Sequence, residues 1–177
     1  MRMSETETLE SYIRDIPDFP KPGIIFKDIT PLLGSARAFD ASIDRLARPF
    51  REEGITKVAG IESRGFIFGA CVARELGCGF VPIRKPGKLP WSTRRHEYKL
   101  EYGTDALEIH LDAIHAGDRV LIVDDVLATG GTAAAAASLI RHFEAAVSAF
   151  SCVIELDFLN GRSRLDGIPV HSLLRFA

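Results

Sequence analysis

The stretch Val120-Leu-Ile-Val-Asp-Asp-Val-Leu-Ala-Thr-Gly-Gly-Thr132 decides the fold of this chain. It begins in a predicted apolar strand, Arg119 to Val123, which two acids, Asp124 and Asp125, follow directly. A turn of small residues comes next, and the alanine-rich run Thr132 to Phe143 then has a high helix propensity. A buried strand that leads through a tight turn into a helix is typical of α/β proteins.

The same alternation of strands and helices continues on both sides of this stretch. A capping box, Ser4 with Glu7, and apolar spacing from Leu9 to Ile16 predict a first helix. Further helices are predicted over Ser35 to Gly54 and Ile67 to Leu76, and further strands over Lys57 to Ile61, Phe80 to Ile83, Leu107 to Leu111 and Val147 to Leu156. The sequence therefore predicts an α/β fold with a central, mostly parallel sheet of about five strands, flanked by helices.

Length and charge exclude several classes of protein. The chain has 177 residues, of which 46% are hydrophobic, enough for the core of a single domain. Its formal net charge of -2 argues against nucleic acid and anionic membranes as partners. The first 16 residues contain four acids and no apolar run, and no stretch approaches the roughly 20 apolar residues of a membrane span. We expect a cytoplasmic protein.

The turn after the acids has the composition of a phosphate site. Successive backbone amides, two hydroxyls and a helix N-terminus can together surround one phosphate group. The residues that offer them are Ala128, Thr129, Gly130, Gly131 and Thr132. The turn lacks the Gly-Lys-Ser/Thr ending of an ATP-binding loop, and the G-x-G-x-x-G dinucleotide motif does not occur. Asp124 and Asp125 indicate a polyhydroxyl group or a cation beside the phosphate, so a phosphorylated sugar fits the whole stretch.

The thirteen-residue stretch resembles the phosphoribosyl-diphosphate signature of type I phosphoribosyltransferases. Four further blocks resemble adenine phosphoribosyltransferases and follow the order of that subfamily: Phe19 to Pro31, Glu62 to Phe66, Arg84 to Pro90 and Tyr98 to Gly103. The resemblance spans about residues 10 to 155. It implies a type I phosphoribosyltransferase fold in one domain, residues 1–177, with an N-terminal cap and base-recognition segment over 1–34 and a flexible hood over 84–102.

The resemblance also implies a reaction. Ribose 5-phosphate would pass from 5-phosphoribosyl 1-diphosphate to N9 of adenine, giving AMP and diphosphate, as in purine salvage. Mg²⁺ would be the cofactor, held mainly by substrate oxygens and water rather than by a metal site of the protein. The family works as a homodimer, and we expect the same here.

Individual residues take roles from the same resemblance. Arg64 and the hood cations Arg84, Lys85 and Lys88 would bind the diphosphate, and a cis peptide is expected in the Glu62 to Gly65 turn. Glu101 would take part in proton transfer at the adenine imidazole. Adenine would be recognised by Ile25 through its backbone, by Phe26 through stacking, and by Lys27, where the family often has arginine.

Two alternatives stay open at this point. The first is a phosphoribosyltransferase for another purine, hypoxanthine or xanthine. The second is a non-catalytic regulator that binds phosphoribosyl diphosphate and controls transcription. The regulator would need a DNA-binding unit, yet no residues are left over for a helix-turn-helix and the net charge is negative.

Overall fold

The computed structural model describes residues 8–99 and 104–177. The chain divides into two compact units, Met1–Arg45 and Leu46–Ala177. In the first unit, a single 3-10 turn, Leu9–Tyr12, precedes the strands β1, Arg14–Pro17, and β2, Ile25–Asp28, and the helix α1, Thr30–Gly34. The helix α2, Ala36–Ala47, contains the boundary between the units.

The first predicted helix is wrong in its second half. Residues from Leu9 make one 3-10 turn, and the chain then extends as β1, which pairs antiparallel with β2 in the register Asp15 to Lys27. Main-chain hydrogen bonds from a distant strand decide this outcome, and local apolar spacing does not report them. The predicted capping residues Ser4 and Glu7 lie outside the described residues.

The second unit is built on a five-stranded sheet. Its elements are β3, Lys57–Ile61; α3, Gly65–Leu76; β4, Gly79–Ile83; β5, Thr93–Lys99; β6, Thr104–His110; β7, Arg119–Leu127; α4, Gly131–Arg141; β8, Ala146–Leu156; and β9, Val170–Phe176. The sheet order is β4-β3-β7-β8-β9, and all four pairings are parallel. The predicted α/β fold with a central parallel sheet is confirmed.

One of the five strands differs from the prediction. The predicted strand Leu107 to Leu111 falls in β6, which pairs antiparallel with β5 in a separate two-stranded sheet. The fifth strand of the central sheet is β9, which the sequence analysis did not include. The strand β5 of this second sheet lies inside the segment 84–102 that the resemblance assigns to the hood. Alternation alone does not tell which sheet a strand will join.

The strand β7 lies in the middle of the sheet and is longer than predicted. Val120 to Val123 are fully buried, and the ladder with β8 continues past the acids, with Asp124 opposite Cys152 and Leu127 opposite Glu155. Asp124 and Asp125 therefore lie within the strand rather than after it. The helix α4 packs against this core through small side chains such as Ala136, which is fully buried. None of the described helices has the length and hydropathy needed to cross a membrane.

Candidate active site

A cavity of about 300 Å³ lies in the second unit, at the carboxyl ends of β3 and β7. Three segments line it: residues 61–64, Lys85, and residues 124–133. Ligands of open parallel sheets bind at this edge, where helices begin after strands. Of the residues singled out from the sequence, the cavity brings together Arg64, Lys85, Asp124, Asp125, Ala128, Thr129, Gly130, Gly131 and Thr132.

The phosphate loop, residues 128–132, joins β7 to α4. Gly130 has a φ of 79°, a left-handed conformation that other residues rarely adopt, and it immediately precedes the helix. The first turn of α4 leaves main-chain N–H groups without helical partners, and these groups favour an anion. Thr132, in that first turn, also lines the cavity. These residues therefore present main-chain N–H groups and a hydroxyl at the cavity wall, and their binding of a phosphate stays a prediction.

The two acids of β7 are adjacent, Asp125 buried and Asp124 half-buried, and the Arg64 side chain lies beside them. The main-chain N–H of Asp125 donates to Asp124 Oδ1 at 2.8 Å, and Arg64 Nε lies 2.6 Å from Asp125 Oδ2. Burial, followed by repulsion from Asp125, raises the pKa of the Asp124 carboxyl well above its ordinary value. Burial also raises the pKa of Asp125, although Arg64 opposes the shift. Two neighbouring buried carboxyls are stabilised by a ligand that brings hydroxyl donors or a cation.

Arg64 lies in the turn between β3 and α3. The cis peptide that the resemblance implies is present in this turn, between Glu62 and Ser63. Arg64 immediately precedes α3, and its side chain is 42% exposed while the Asp125 carboxylate beside it is 6% exposed. Its guanidinium thus borders the cavity next to the acid pair.

Glu62 contacts the cationic residues at the start of the hood segment. Its carboxylate accepts hydrogen bonds from Lys88 Nζ at 2.8 Å, from the Lys85 main-chain N–H at 3.0 Å and from two nitrogens of Arg84 at 3.2 and 3.3 Å. Burial alone raises the pKa of this carboxyl, but these hydrogen bonds lower it to about 2. Glu108 holds the same segment by accepting from the Gly87 main-chain N–H at 3.0 Å.

Lys85 joins the hood to the phosphate loop through a chain of polar groups. Its ammonium pairs with Asp105 Oδ2 and lies 3.3 Å from the Tyr98 hydroxyl. The Tyr98 hydroxyl lies 3.1 Å from Asp105 Oδ2 and 3.4 Å from Thr132 Oγ1. Burial lowers the pKa of Lys85, but the bonds to Asp105 and Tyr98 outweigh it and raise the pKa above its ordinary value.

Several predicted residues lie away from the cavity lining. Arg84 and Lys88 contact Glu62, which does line it. Glu101, the predicted proton-transfer residue, lies outside the described residues. Three contact residues were missed by the sequence analysis: Glu62, which stood unassigned inside a quoted block, Tyr98 and Asp105. Their partners are 7 to 34 positions away along the chain, so no local pattern signals the contacts.

The predicted adenine-recognition residues lie on β2, in the first unit. Ile25 is 57% exposed, and the Phe26 ring meets the Phe19 ring edge to face, with centroids 5.3 Å apart. Lys27 Nζ lies 2.7 Å from Asp15 Oδ1, in the paired position on β1. An exposed residue beside an aromatic pair is a suitable surface for a flat heterocycle.

A divalent cation fits the acid pair together with substrate oxygens. In residues 8–99 and 104–177 there is no group of three or more His, Cys, Asp or Glu side chains arranged to hold a metal ion. Mg²⁺ is commonly bound through one or two carboxylates, phosphate oxygens and water. Asp124 and Asp125 supply carboxylates of that kind at the cavity wall.

Comparison with known proteins identifies the family. The phosphoribosyl transferase domain model matches residues 33–166. The adenine phosphoribosyltransferase of Nitrosococcus oceani is 56% identical over 170 residues, which cover 96% of this chain and 99% of that protein. The adenine phosphoribosyltransferase of Methylococcus capsulatus is 59% identical over the same shares.

Solved structures agree with this result. The crystal structure of adenine phosphoribosyltransferase from Thermoanaerobacter pseudethanolicus has a TM-score of 0.92 and 54% identity, and covers 96% of this chain and 100% of that one. The Saccharomyces cerevisiae enzyme, complexed with an imino-altritol bisphosphate and adenine, has a TM-score of 0.89 and 46% identity, covering 94% and 96% of the two chains. By its family model, its relatives and its parallel sheet, the chain therefore belongs to the phosphoribosyltransferase family, among the adenine phosphoribosyltransferases.

Proposed function

We propose that the protein is a purine salvage enzyme that transfers ribose 5-phosphate from 5-phosphoribosyl 1-diphosphate to adenine, giving AMP and diphosphate. The observation that carries the proposal is the cavity itself. It combines a phosphate loop, a pair of acids for ribose hydroxyls, and the cations Arg64 and Lys85 within about 300 Å³. Relatives that are 56% and 59% identical over 96% of this chain are adenine phosphoribosyltransferases.

The reaction separates charge, and side chains of the protein stabilise the negative charge that develops on the diphosphate. The bond from ribose C1 to the diphosphate oxygen breaks and its electron pair leaves with the diphosphate, while adenine N9 forms the new bond to C1 and loses its proton. Arg64 and Lys85, with Arg84 and Lys88 released from Glu62, stabilise the growing negative charge on the diphosphate. Mg²⁺, held mainly by substrate oxygens and water, supplies further positive charge there when it is bound.

Roles for the remaining groups complete the proposal. The phosphate loop binds the 5-phosphate, and Asp124 and Asp125 accept hydrogen bonds from the ribose hydroxyls. Glu101 takes the proton from N9. The main chain of Ile25 reads the edge of adenine, Phe26 stacks on the ring, and Lys27 lies beside them on β2. The two units act as one phosphoribosyltransferase domain in a homodimer, a state that light scattering coupled to size-exclusion chromatography tests. A cytoplasmic location stays a prediction of the sequence.

One assay decides between this function and the alternatives. Purified protein is incubated with 5-phosphoribosyl 1-diphosphate, Mg²⁺ and one purine at a time, and formation of each nucleotide is followed. We expect AMP from adenine and at least about 10⁴-fold lower efficiency with hypoxanthine, because a site built on matched hydrogen bonds rejects the reversed pattern. Equal use of hypoxanthine or xanthine would contradict the choice of base. Binding of phosphoribosyl diphosphate without turnover of any purine would instead indicate the regulator.

A further inference from the structure

The segment Asn160 to Arg164, which follows β8, packs against the back of the phosphate loop. A Cβ atom built on Gly130 would overlap the carbonyl oxygen of Gly161, well inside the 3.0 Å that real Cβ contacts essentially never cross. A Cβ atom built on Gly161 would in turn overlap the carbonyl oxygen of Ala128 and lie 3.1 Å from the main-chain nitrogen of Gly130. The two main chains therefore touch with no room for a side chain between them.

Gly161 is required here for space rather than for its backbone conformation. Its φ lies outside the left-handed region, so an alanine could adopt the same dihedral angles without strain. Two of the three nearest atoms that an added methyl group would meet, including the nearest, are backbone atoms, which cannot rotate aside as a flexible side chain can; the third is Leu127 Cγ at 3.1 Å. Accommodating the methyl group would mean moving the main chain of Ala128 to Gly130, which lines the cavity.

An ion pair between Arg162 and the buried Glu155 holds Gly161 in this place. Arg162, the next residue, binds both oxygens of Glu155 through Nε and Nη2, the latter at 2.6 Å from Oε2. It also donates to the carbonyl oxygen of Val170 at 3.2 Å, and the Ser172 hydroxyl donates to Glu155 Oε2 at 2.6 Å. Glu155 is 3% exposed and lies opposite Leu127, the last residue of β7, from which the phosphate loop starts. The hydrogen bond from Arg162 is also the largest cause of the lowered pKa of this carboxyl.

We infer that Gly161 and Arg162 are positioning residues for the ribose 5-phosphate group: Gly161 forms the wall that sets the shape of the phosphate loop, and Arg162, through Glu155, holds that wall in place. The inference rests on the proposed function and adds to it a part of the site that touches no substrate. It concerns only the ribose 5-phosphate half of the substrate and not the diphosphate half. The groups proposed for the diphosphate, Arg64, Arg84, Lys85 and Lys88, belong to other segments of the chain.

The test measures the two halves of the substrate separately. Isothermal titration calorimetry gives dissociation constants for ribose 5-phosphate and, with Mg²⁺, for diphosphate, in wild type, Gly161→Ala, Arg162→Ala and Arg162→Lys. For Gly161→Ala we expect the ribose 5-phosphate constant to rise about tenfold or more, the size that follows the loss of one polar contact, and the diphosphate constant to stay within about twofold. Arg162→Ala should also raise the ratio of the ribose 5-phosphate constant to the diphosphate constant. Arg162→Lys keeps the positive charge, so it should raise this ratio less.

Gly34→Ala is the matched control. Its Cβ atom would meet nothing within 4 Å and its φ is not left-handed, so both dissociation constants should equal those of wild type. A uniform rise in both constants for Gly161→Ala, or no rise in either, would overturn the inference. If Gly161→Ala does not fold, as its melting temperature reports, the two Arg162 variants decide by the same ratio. Failure of the wild type to bind ribose 5-phosphate would count against the proposed function instead.

Discussion

At the scale of single residues, the site is built from groups that the fold holds in an unfavourable state. Asp124 and Asp125 are adjacent carboxyls in the central strand, and burial raises the pKa of both. In the protein without ligand, such a pair lowers the stability of the folded state, because the charged form is poorly solvated. If the acids bind the ribose hydroxyls as proposed, a sugar with two hydroxyl donors relieves this cost, and we expect the acids to contribute to ligand affinity.

Replacing Asp124 with asparagine should therefore stabilise the fold and weaken the binding of the substrate. Because the folded pKa is raised, the folded state binds more protons than the unfolded state above the ordinary value of 3.8, and the free energy of unfolding falls as pH rises. We expect Asp124→Asn to have a higher melting temperature than wild type at neutral pH and no advantage near pH 3.8. Its KM for phosphoribosyl diphosphate should rise roughly tenfold. A lower melting temperature at neutral pH would contradict this account.

Glu62 should show the opposite dependence on pH. Its folded pKa of about 2 is below the ordinary value of 4.5, so its hydrogen bonds to the hood cations stabilise the fold above pH 4.5 and are lost as pH falls towards 2. We expect wild type to exceed Glu62→Gln in free energy of unfolding at neutral pH, and the difference to vanish across this acid range. Urea denaturation at a series of pH values measures it. A difference that is constant with pH would mean that the carboxylate charge is not involved.

At the scale of elements, the start of the hood segment presents three of its cations to carboxylates of the protein. Arg84 and Lys88 contact Glu62, and Lys85 contacts Asp105, so each of the three cations has a carboxylate partner. A diphosphate offers the same cations more oxygens and more charge. We therefore expect the hood to change its contacts when phosphoribosyl diphosphate binds, as lids over active sites do.

Trp91 can report this change, since it is the single tryptophan of the sequence and lies in the hood segment. Its side chain is 57% exposed and its ring meets His110 edge to face, with centroids 6.3 Å apart. We expect its fluorescence emission to shift on addition of phosphoribosyl diphosphate with Mg²⁺, and the signal to be absent from Trp91→Phe. Emission that stays unchanged at a saturating concentration would show that the segment is a rigid element.

The strand β2 carries a separate prediction, on the choice of base. If the main chain of Ile25 reads adenine, Ile25→Val should keep the preference for adenine over hypoxanthine. Phe26→Ala should lose stacking of about 1 to 3 kcal/mol, by analogy with aromatic platforms for nucleic-acid bases, while it keeps the order of the two bases. The ratio of kcat/KM values for the two bases is measured in both variants. Collapse of the ratio in Ile25→Val would assign the reading to the side chain.

At the scale of the whole molecule, what the sequence predicts correctly is what is encoded in neighbouring residues. The strand, acids, turn and helix of residues 119–141 are contiguous, so their residue types alone indicate both the parallel sheet and the tight turn that leads into α4. The contacts of Glu62 with Lys88 and of Tyr98 with Thr132 join residues 26 and 34 positions apart, and depend on which strands become neighbours. For the same reason β9 was missed, and a helix was expected where β1 pairs with β2.

The central place of β7 in the sheet affects the order in which parts of the site unfold. This strand has a hydrogen-bonded neighbour on each side, β3 and β8, so a local opening would have to break two ladders at once. Its amide protons should exchange with deuterium only when the whole unit unfolds, whereas those of the paired strands β5 and β6, which share one ladder, should exchange through smaller openings. In mild denaturant the protein should therefore lose its affinity for diphosphate first, while β7, the strand that carries the two acids, is still folded.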